Sequence, residues 1–403
     1  MLDAVTTARR DEPATPRHRM GPLYAAGFVT AFGAHSVAAG VGATGEDIGL
    51  SLLRIGFLLA LYDIAEVLLK PIFGSLSDRI GAKPVIVGGL IGFAALSLLG
   101  LGAQNVALLT LARLGQGAAA AAFSPAASAT VARLGAGRTG AYFGRYGSWK
   151  ALGYTIGPLL GAGLIAWGGL PLLFGVLSAA AAMTAIWVLL ALPAPAPLPR
   201  TRYTVVDLVR QTTDSAFLVP TLALATSTAA LGAAIGFLPA LATHLGLSLF
   251  AAIAIATVLA LASAIVQPWA GSLRDSRRFS DRAGAIGGLL VLAAGILLVA
   301  VLPTAVVLYL AAVLIGAGIG VVTPFAFAAL ADSTPQERMG RTLGTAELGR
   351  ELGDSAGPLL VGAVAAATAL PWGLATLGGA VALMAGVVGV TRSRSAVVTE
   401  PTD

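Results

Sequence analysis

Hydrophobic and polar positions along the chain form a succession of long apolar stretches separated by short polar breaks. A bilayer core of about 30 Å takes about 20 apolar residues per helix. Stretches of that kind predict twelve spans, at 22–41, 51–73, 84–104, 106–131, 139–166, 170–192, 216–241, 249–270, 284–302, 305–330, 340–369 and 371–390. The first is the weakest, because Gly40, Gly42 and Gly45 dilute its end. The longest polar break, 193–215, is Pro-rich at its start and charged at its end, which reads as a linker. The expected organisation is therefore an all-α membrane protein with six helices in 1–192, a linker at 193–215 and six helices in 216–403.

Composition strengthens this picture and narrows the chemistry. Of 403 residues, 57% are hydrophobic and only 11% charged, against about 25% charged in a soluble domain. With no Cys, disulfides and thiolate metal sites are excluded. The three His (His18, His35 and His244) are too scattered for a metal site. No GxxxxGK[ST] phosphate loop occurs, so no nucleotide or other cofactor is expected. The formal charge of +6 does not point to nucleic acid, because the bases sit in short loops between apolar stretches.

Those bases are sided. With the N-terminus placed in the cytoplasm, Arg9, Arg10, Arg17, Arg19, Arg79, Lys83, Arg133, Arg138, Arg200, Arg202, Arg210, Arg274, Arg277, Arg278, Arg282, Arg338, Arg341, Arg392 and Arg394 all fall on the cytoplasmic side. The opposite loops hold none, unless Arg54 lies outside its span. The positive-inside rule then puts both termini in the cytoplasm, and the polar start up to Met20 reads as a tail rather than a signal peptide. Twenty-two Arg against three Lys, in an Ala- and Gly-rich chain, suggest a GC-rich bacterial genome and hence a bacterial inner membrane.

The two halves repeat each other. The segment from Lys70 through Pro71, Gly74 and Ser75 to Asp78 aligns with Gln267 through Pro268, Gly271 and Ser272 to Asp275. Pro125 aligns with Pro324. At a constant offset of 200, Arg138, Gly140, Gly144, Gly153, Gly157 and Pro158 match Arg338, Gly340, Gly344, Gly353, Gly357 and Pro358. Both copies start on the same side, as in transporters built from parallel repeats with a substrate site between halves near mid-membrane.

Three motifs then carry a family resemblance. The segment Gly74 to Lys83, with Asp78, Arg79 and Gly81, resembles the loop two-three signature GxLaDrxGrk of the major facilitator superfamily, with Ala82 in place of the first base of the closing pair. Leu109 to Ala121, with Arg113, Gln116 and Gly117, resembles the span-four motif. Gly153, Gly157, Pro158 and Gly161 resemble the span-five antiporter motif, with Ala162 for its final Gly. The resemblance implies two pseudo-symmetric six-helix halves, a monomer, and a lean towards drug:proton antiport. It also implies that Asp78 pairs with nearby bases and the positive N-terminus of span eleven, latching the cytoplasmic side, and that Asp275 does the same towards span five. Physically, small residues let helix backbones approach closely in lipid, and Gly153, Gly157 and Gly161 make one smooth stripe with Pro158 interrupting the helical bonding.

Candidate chemistry lies in the charges inside the spans. Asp63, Glu66 and Lys70 fall in span two, Arg113 in four, Arg145 and Lys150 in five, and Glu347, Arg350, Glu351 and Asp354 in eleven; spans three, six, nine and twelve hold none. Each would cost about 2.5–3.5 kcal/mol at a lipid-facing helix centre, so they must face one another or a wet cavity. Glu66 and Lys70 are spaced to pair within one helix, and with Arg145 and Glu347 they read first as structural. Asp63, about 18 Å into its span at 1.5 Å per residue, is the first candidate for carrying a proton, with Arg113 as modulator and Asp354, Glu351 and Glu66 in reserve. Tyr146, Lys150 and Tyr154 recur at every fourth position and, with Arg350, suit substrate contact. His35, in a span that lines the cavity in the resembling family, is the remaining candidate.

The function expected is proton-coupled export of a small hydrophobic or amphipathic compound by alternating access, without catalysis. The alternatives are transport of a sugar, metabolite or lysolipid in either direction, and a non-transporting membrane sensor or scaffold. The partners expected are a small-molecule substrate, protons and the lipid bilayer.

Overall fold

A computed structural model describes residues 16–44, 52–102, 105–193 and 213–391. Arg9, Arg10, Arg200, Arg202, Arg210, Arg392, Arg394 and most of the linker lie outside the described residues, as do the side chains of Arg17, Arg19 and Arg54.

Among the described residues twelve α-helices form, and the apolar stretches explain why. Lipid offers no partner to a backbone N–H or C=O, so a spanning segment must satisfy both internally. The helices are α1 (Pro16–Thr44), α2 (Leu52–Ile80), α3 (Ala82–Leu99) and α4 (Val106–Leu134), then a run Thr139–Ala191, then α7 (Ser215–His244), α8 (Leu249–Asp275), α9 (Asp281–Val301), α10 (Ala305–Asp332), α11 (Met339–Ala367) and α12 (Leu370–Val390). The Thr139–Ala191 run is broken at Gly168 and Gly169, the latter at φ 69°, which favours glycine. Its arms are α5 (139–167) and α6 (170–191). Asn105, Asp214, Ser248, Ser280 and Thr304 cap the helices that follow them through side-chain oxygens.

Among the described residues, eight helical runs are long and apolar enough to cross a membrane, the double run Thr139–Ala191 being one. The charge-bearing helices α2 and α11 are not among them, and they face each other. At 29 residues, α2 is about 43 Å long at 1.5 Å per residue. It is therefore longer than a hydrocarbon core of about 30 Å is thick, and it carries Asp78 in its last turn.

The packing repeats with a shift of six helices. As α1 packs on α5, α2 on α4 and α3 on α4, so α7 packs on α11, α8 on α10 and α9 on α10. One hydrophobic core is drawn mainly from α1–α6 and centres on residues such as Leu90, Phe93, Phe123 and Phe174. The other is drawn from α7–α12, around Leu259, Leu292, Ile315 and Val381. Between the halves, α2 packs on α11 and α5 on α8.

Candidate functional site

Glycines set how closely the halves meet. The backbones of Gly74 on α2 and Gly340 on α11 touch, so that a side chain on either would strike the other's carbonyl, and Gly140 on α5 stands in the same relation to Gly271 on α8. This approach brings each loop aspartate onto a helix N-terminus. Asp78 accepts from the N–H groups of Gly340 (2.8 Å) and Arg341 (2.9 Å). Asp275 accepts from those of Gly140 (2.9 Å) and Ala141 (2.7 Å). The free N–H groups and positive end of a helix suit a carboxylate.

The base that meets Asp78 is not in its own motif. Arg133, at the end of α4, donates to Asp78 Oδ1 at 2.7 Å and to the carbonyl of Gln336 at 2.9 Å. Arg79 is exposed, Lys83 half-buried, and neither is a partner of Asp78. Gly81 sits at φ 95°, where its lack of a side chain allows the turn into α3. On the symmetric side Arg274 binds Asp281 (2.6 Å) and Asp332 (2.6 Å) and donates to Thr139 Oγ1 (2.9 Å). Phe143 of α5 stacks on Phe327 of α10 at 5.3 Å, sealing this latch end between the two clusters.

Replacing Asp78 by Asn removes a charged acceptor, and such bonds are worth about 1.5–3 kcal/mol. We expect the latched fraction to fall at least tenfold relative to the open one. The chain has no Cys, so spin labels at Ala136→Cys and Arg278→Cys can read the distance across the latch end. It should lengthen in Asp78→Asn, and an unchanged distribution would show that the aspartate is not the latch.

Further along α2 and α11 from the latch end the interface turns ionic. Lys70 Nζ is fully buried and lies 2.8 Å from Glu66, 2.9 Å from Glu351 and 3.7 Å from Glu347. Glu347 also accepts from Ser124 (2.8 Å) and Ser128 (2.5 Å) of α4. Arg350 lies 3.4 Å from Glu351 and donates to Tyr154 of α5 at 2.8 Å. The bonds therefore run from Glu66 through Lys70, Glu351 and Arg350 to Tyr154, crossing between the halves twice. His35 of α1 leans edge-on against the Tyr154 ring at 4.4 Å, with its Nδ1 3.2 Å from the Ala31 carbonyl.

The other candidates lie around this chain of bonds. Asp63 is exposed and makes no ion pair with Arg113. Arg113 is buried with its guanidinium 4.4 Å above the Tyr62 ring, donates to Gln116 at 3.4 Å, and leaves Nε without a partner. Asp354 is half-buried against Gly232 of α7 and within electrostatic reach of Asp63 on the other half. Lys150 and Tyr146 are buried together beside Gly27 of α1, the ammonium 5.8 Å above the ring. Arg145 lies 5.9 Å above the Tyr142 ring. Gly153, Gly157 and Gly161 face α1, against Ala31, Phe32 and Ser36, and α5 runs on through Pro158.

Where α2–α11 is ionic, α5–α8 is neutral. Gln267 stands in for Lys70 and donates to Ser263 at 3.1 Å, while Ser148 donates to the Ala264 carbonyl. Neither Ser124, Ser128 nor Arg133 was singled out from the sequence as a partner of the acids. The i, i+4 spacing of the two serines, polar positions in an Ala-rich span, was the available signal.

The model of the Major Facilitator Superfamily matches the chain twice, over residues 23–219 and 220–402. The chain belongs to that superfamily. It is a multi-pass membrane transporter and not an enzyme. Among curated relatives, the class H tetracycline resistance protein of Pasteurella multocida is 37% identical over 106 residues, 26% of each chain. The puromycin resistance protein of Streptomyces alboniger is 34% identical over 122 residues, 30% of this chain and 24% of the relative. The chain thus spans about a quarter of the length of the curated relatives it matches. The human organic anion transporter MFSD10 superposes with a TM-score of 0.78 at 19% identity, covering 94% of this chain and all of that one. The Escherichia coli fucose:proton symporter superposes at 0.74 with 16% identity, covering 92% and 98%. At those identities the likeness is one of fold.

Proposed function

We propose that this superfamily member exports a small hydrophobic or amphipathic compound in exchange for protons, by rocking of its halves about the α2–α5–α11 cluster. The observation that carries this reading is the largely buried ionic chain from Glu66 to Tyr154, which crosses between the halves within the helices α2, α5 and α11. Charges so placed are costly in lipid, and a static bundle would pack more easily with apolar residues in their stead. The resistance proteins named above support export. Asp63, the exposed acid of the cluster, is the first proton carrier, Asp354, Glu351 and Glu66 follow, and Arg113 biases Asp63 from the α4 side.

In this reading the latch end faces the cytoplasm, both termini lie there and the protein works as a monomer in a bacterial inner membrane. The halves are 1–192 and 216–403, joined by 193–215. A proton moving down 100 mV supplies about 2.3 kcal/mol, enough for a concentration ratio of tens-fold. The latch end is shut, and with that end in the cytoplasm, as this reading has it, an exporter would take up its proton from the opposite side.

The test is transport in reconstituted vesicles with and without an imposed pH gradient, using a fluorescent amphipathic dye. Wild type should move the dye only with the gradient, and Asp63→Asn should lower the gradient-driven rate at least tenfold while folding normally. Gradient-independent movement would reject the coupling, and full activity of Asp63→Asn would reject the carrier.

A further inference from the structure

Lys150 is a buried cation with no carboxylate at ion-pair distance. Only 6% of it is exposed, and it forms neither a hydrogen bond nor an ion pair with any described residue. The acids within electrostatic reach are Glu347 and Glu351. Both are already engaged, Glu347 by Ser124, Ser128 and Lys70, and Glu351 by Lys70 and Arg350. Lys70 therefore ion-pairs with three carboxylates, while Lys150 shares Glu347 and Glu351 only at longer range.

Beside Glu347, the other half also presents a second cation to Lys150. Arg350 of α11 is close enough to repel it, and Arg350 Nε is buried without an acceptor. Tyr146 Oη, beside Lys150 on α5, is likewise buried without a partner. Three donor atoms without an acceptor, Lys150 Nζ, Arg350 Nε and Tyr146 Oη, thus lie where α1, α5 and α11 meet. Two cations held near each other in a medium of low dielectric constant call for an anion between them.

We propose that Lys150 and Arg350 dock an anionic group of the substrate, a carboxylate, sulfonate or phosphate, which bridges the two halves. The substrate class is thereby an amphipathic organic anion. The anion lies between the two bases, its apolar part towards Tyr146, Tyr154 and the α1 wall near Gly27. Proton and substrate then use different groups of one cluster, the carboxylates for the first and Lys150 with Arg350 Nε for the second. This inference rests on the reading of the chain as a transporter, but concerns a site whose occupation is measurable without transport.

Three probes of one shape decide it: 2-naphthoate, its uncharged carboxamide and 2-naphthylmethylammonium, each added at millimolar concentration to the full chain in lipid nanodiscs. Thermal unfolding should shift up by a few degrees with the carboxylate and not with the other two. Lys150→Met should lose that shift, and Lys150→Arg should keep much of it. A carboxylate that stabilises wild type no more than the amide does, or a shift retained in full by Lys150→Met, overturns the proposal. Movement of the same probes into vesicles under a pH gradient separates the two readings. If only the amide or the ammonium is moved, the anion site fails and proton-coupled export stands. If none is moved while the carboxylate shift still depends on Lys150, the anion site stands and the transport reading fails.

Discussion

Lys70→Met is expected to lower the unfolding temperature more than any other single charge removal in this protein and to abolish transport. The ammonium is fully buried and is the shared counter-ion of Glu66, Glu347 and Glu351. Met has nearly the same length and shape, so the change leaves little cavity and isolates the electrostatic effect. Breaking a buried pair by deleting one partner costs about 3–5 kcal/mol, because the remaining charge is left uncompensated. Here three carboxylates lose the cation at once, and Arg350 is left to serve Glu351 alone. Thermal unfolding in nanodiscs measures the loss. The cause is tested by compensation: Glu66→Gln with Glu351→Gln in the Lys70→Met background should recover most of the stability, a coupling that distant sites would not show. Equal losses with and without the two amide substitutions would mean that Lys70 acts through packing rather than charge.

This cluster also shows how far sequence reasoning reaches. The twelve helices were legible because most are apolar runs of about 20 residues or more, a condition that a single pass along the chain can read, although α2 and α11 carry too much charge to meet it. The pairing of Glu66 with Lys70 was legible for the same local reason, as residues four apart share a helix face. That Asp78 would find the N-terminus of α11 followed from the motif. Arg133, however, comes from another helix, and nothing along the chain states which of many arginines lies within 2.7 Å of that carboxylate. The same limit hid the serines that hold Glu347. It hid too that Arg113 would stack on Tyr62 rather than pair with Asp63, since the aromatic face lies one residue from the acid and on the same helix. Local periodicity fixes which face a residue occupies; its partner across the interface is a property of how two helices cross.

Gly357→Val should unfold the protein or strip it of activity, whereas Gly157→Ala, its counterpart 200 residues earlier, should be tolerated. The two glycines occupy equivalent places in the repeat, each followed by Pro, and from sequence they are indistinguishable. Their surroundings differ. A Cβ on Gly357 would fall deep inside the carbonyl oxygen of Ala229 on α7, and one on Gly353 inside that of Ala225, both backbone atoms of a packed helix that cannot step aside. A Cβ on Gly157 would meet the Phe32 carbonyl at 3.4 Å and His35 Cβ at 3.5 Å, ordinary contact distances. Overpacking a rigid contact costs about 1–3 kcal/mol or more. Valine adds two methyl groups beyond the Cβ, so α7 and α11 must part and carry Asp354 and Arg350 with them. The measurement is fluorescence size-exclusion of the two variants after extraction, followed by transport of whichever remains monodisperse. The α1–α5 contact is close at Gly153 and Gly161 but loose at Gly157, whereas α7 meets α11 backbone to backbone at both Gly353 and Gly357, so rocking should deform the first interface more than the second. Cross-linking α7 to α11 should therefore be harmless, and cross-linking α1 to α5 should stop transport; the reverse pattern would refute this assignment of the moving joint.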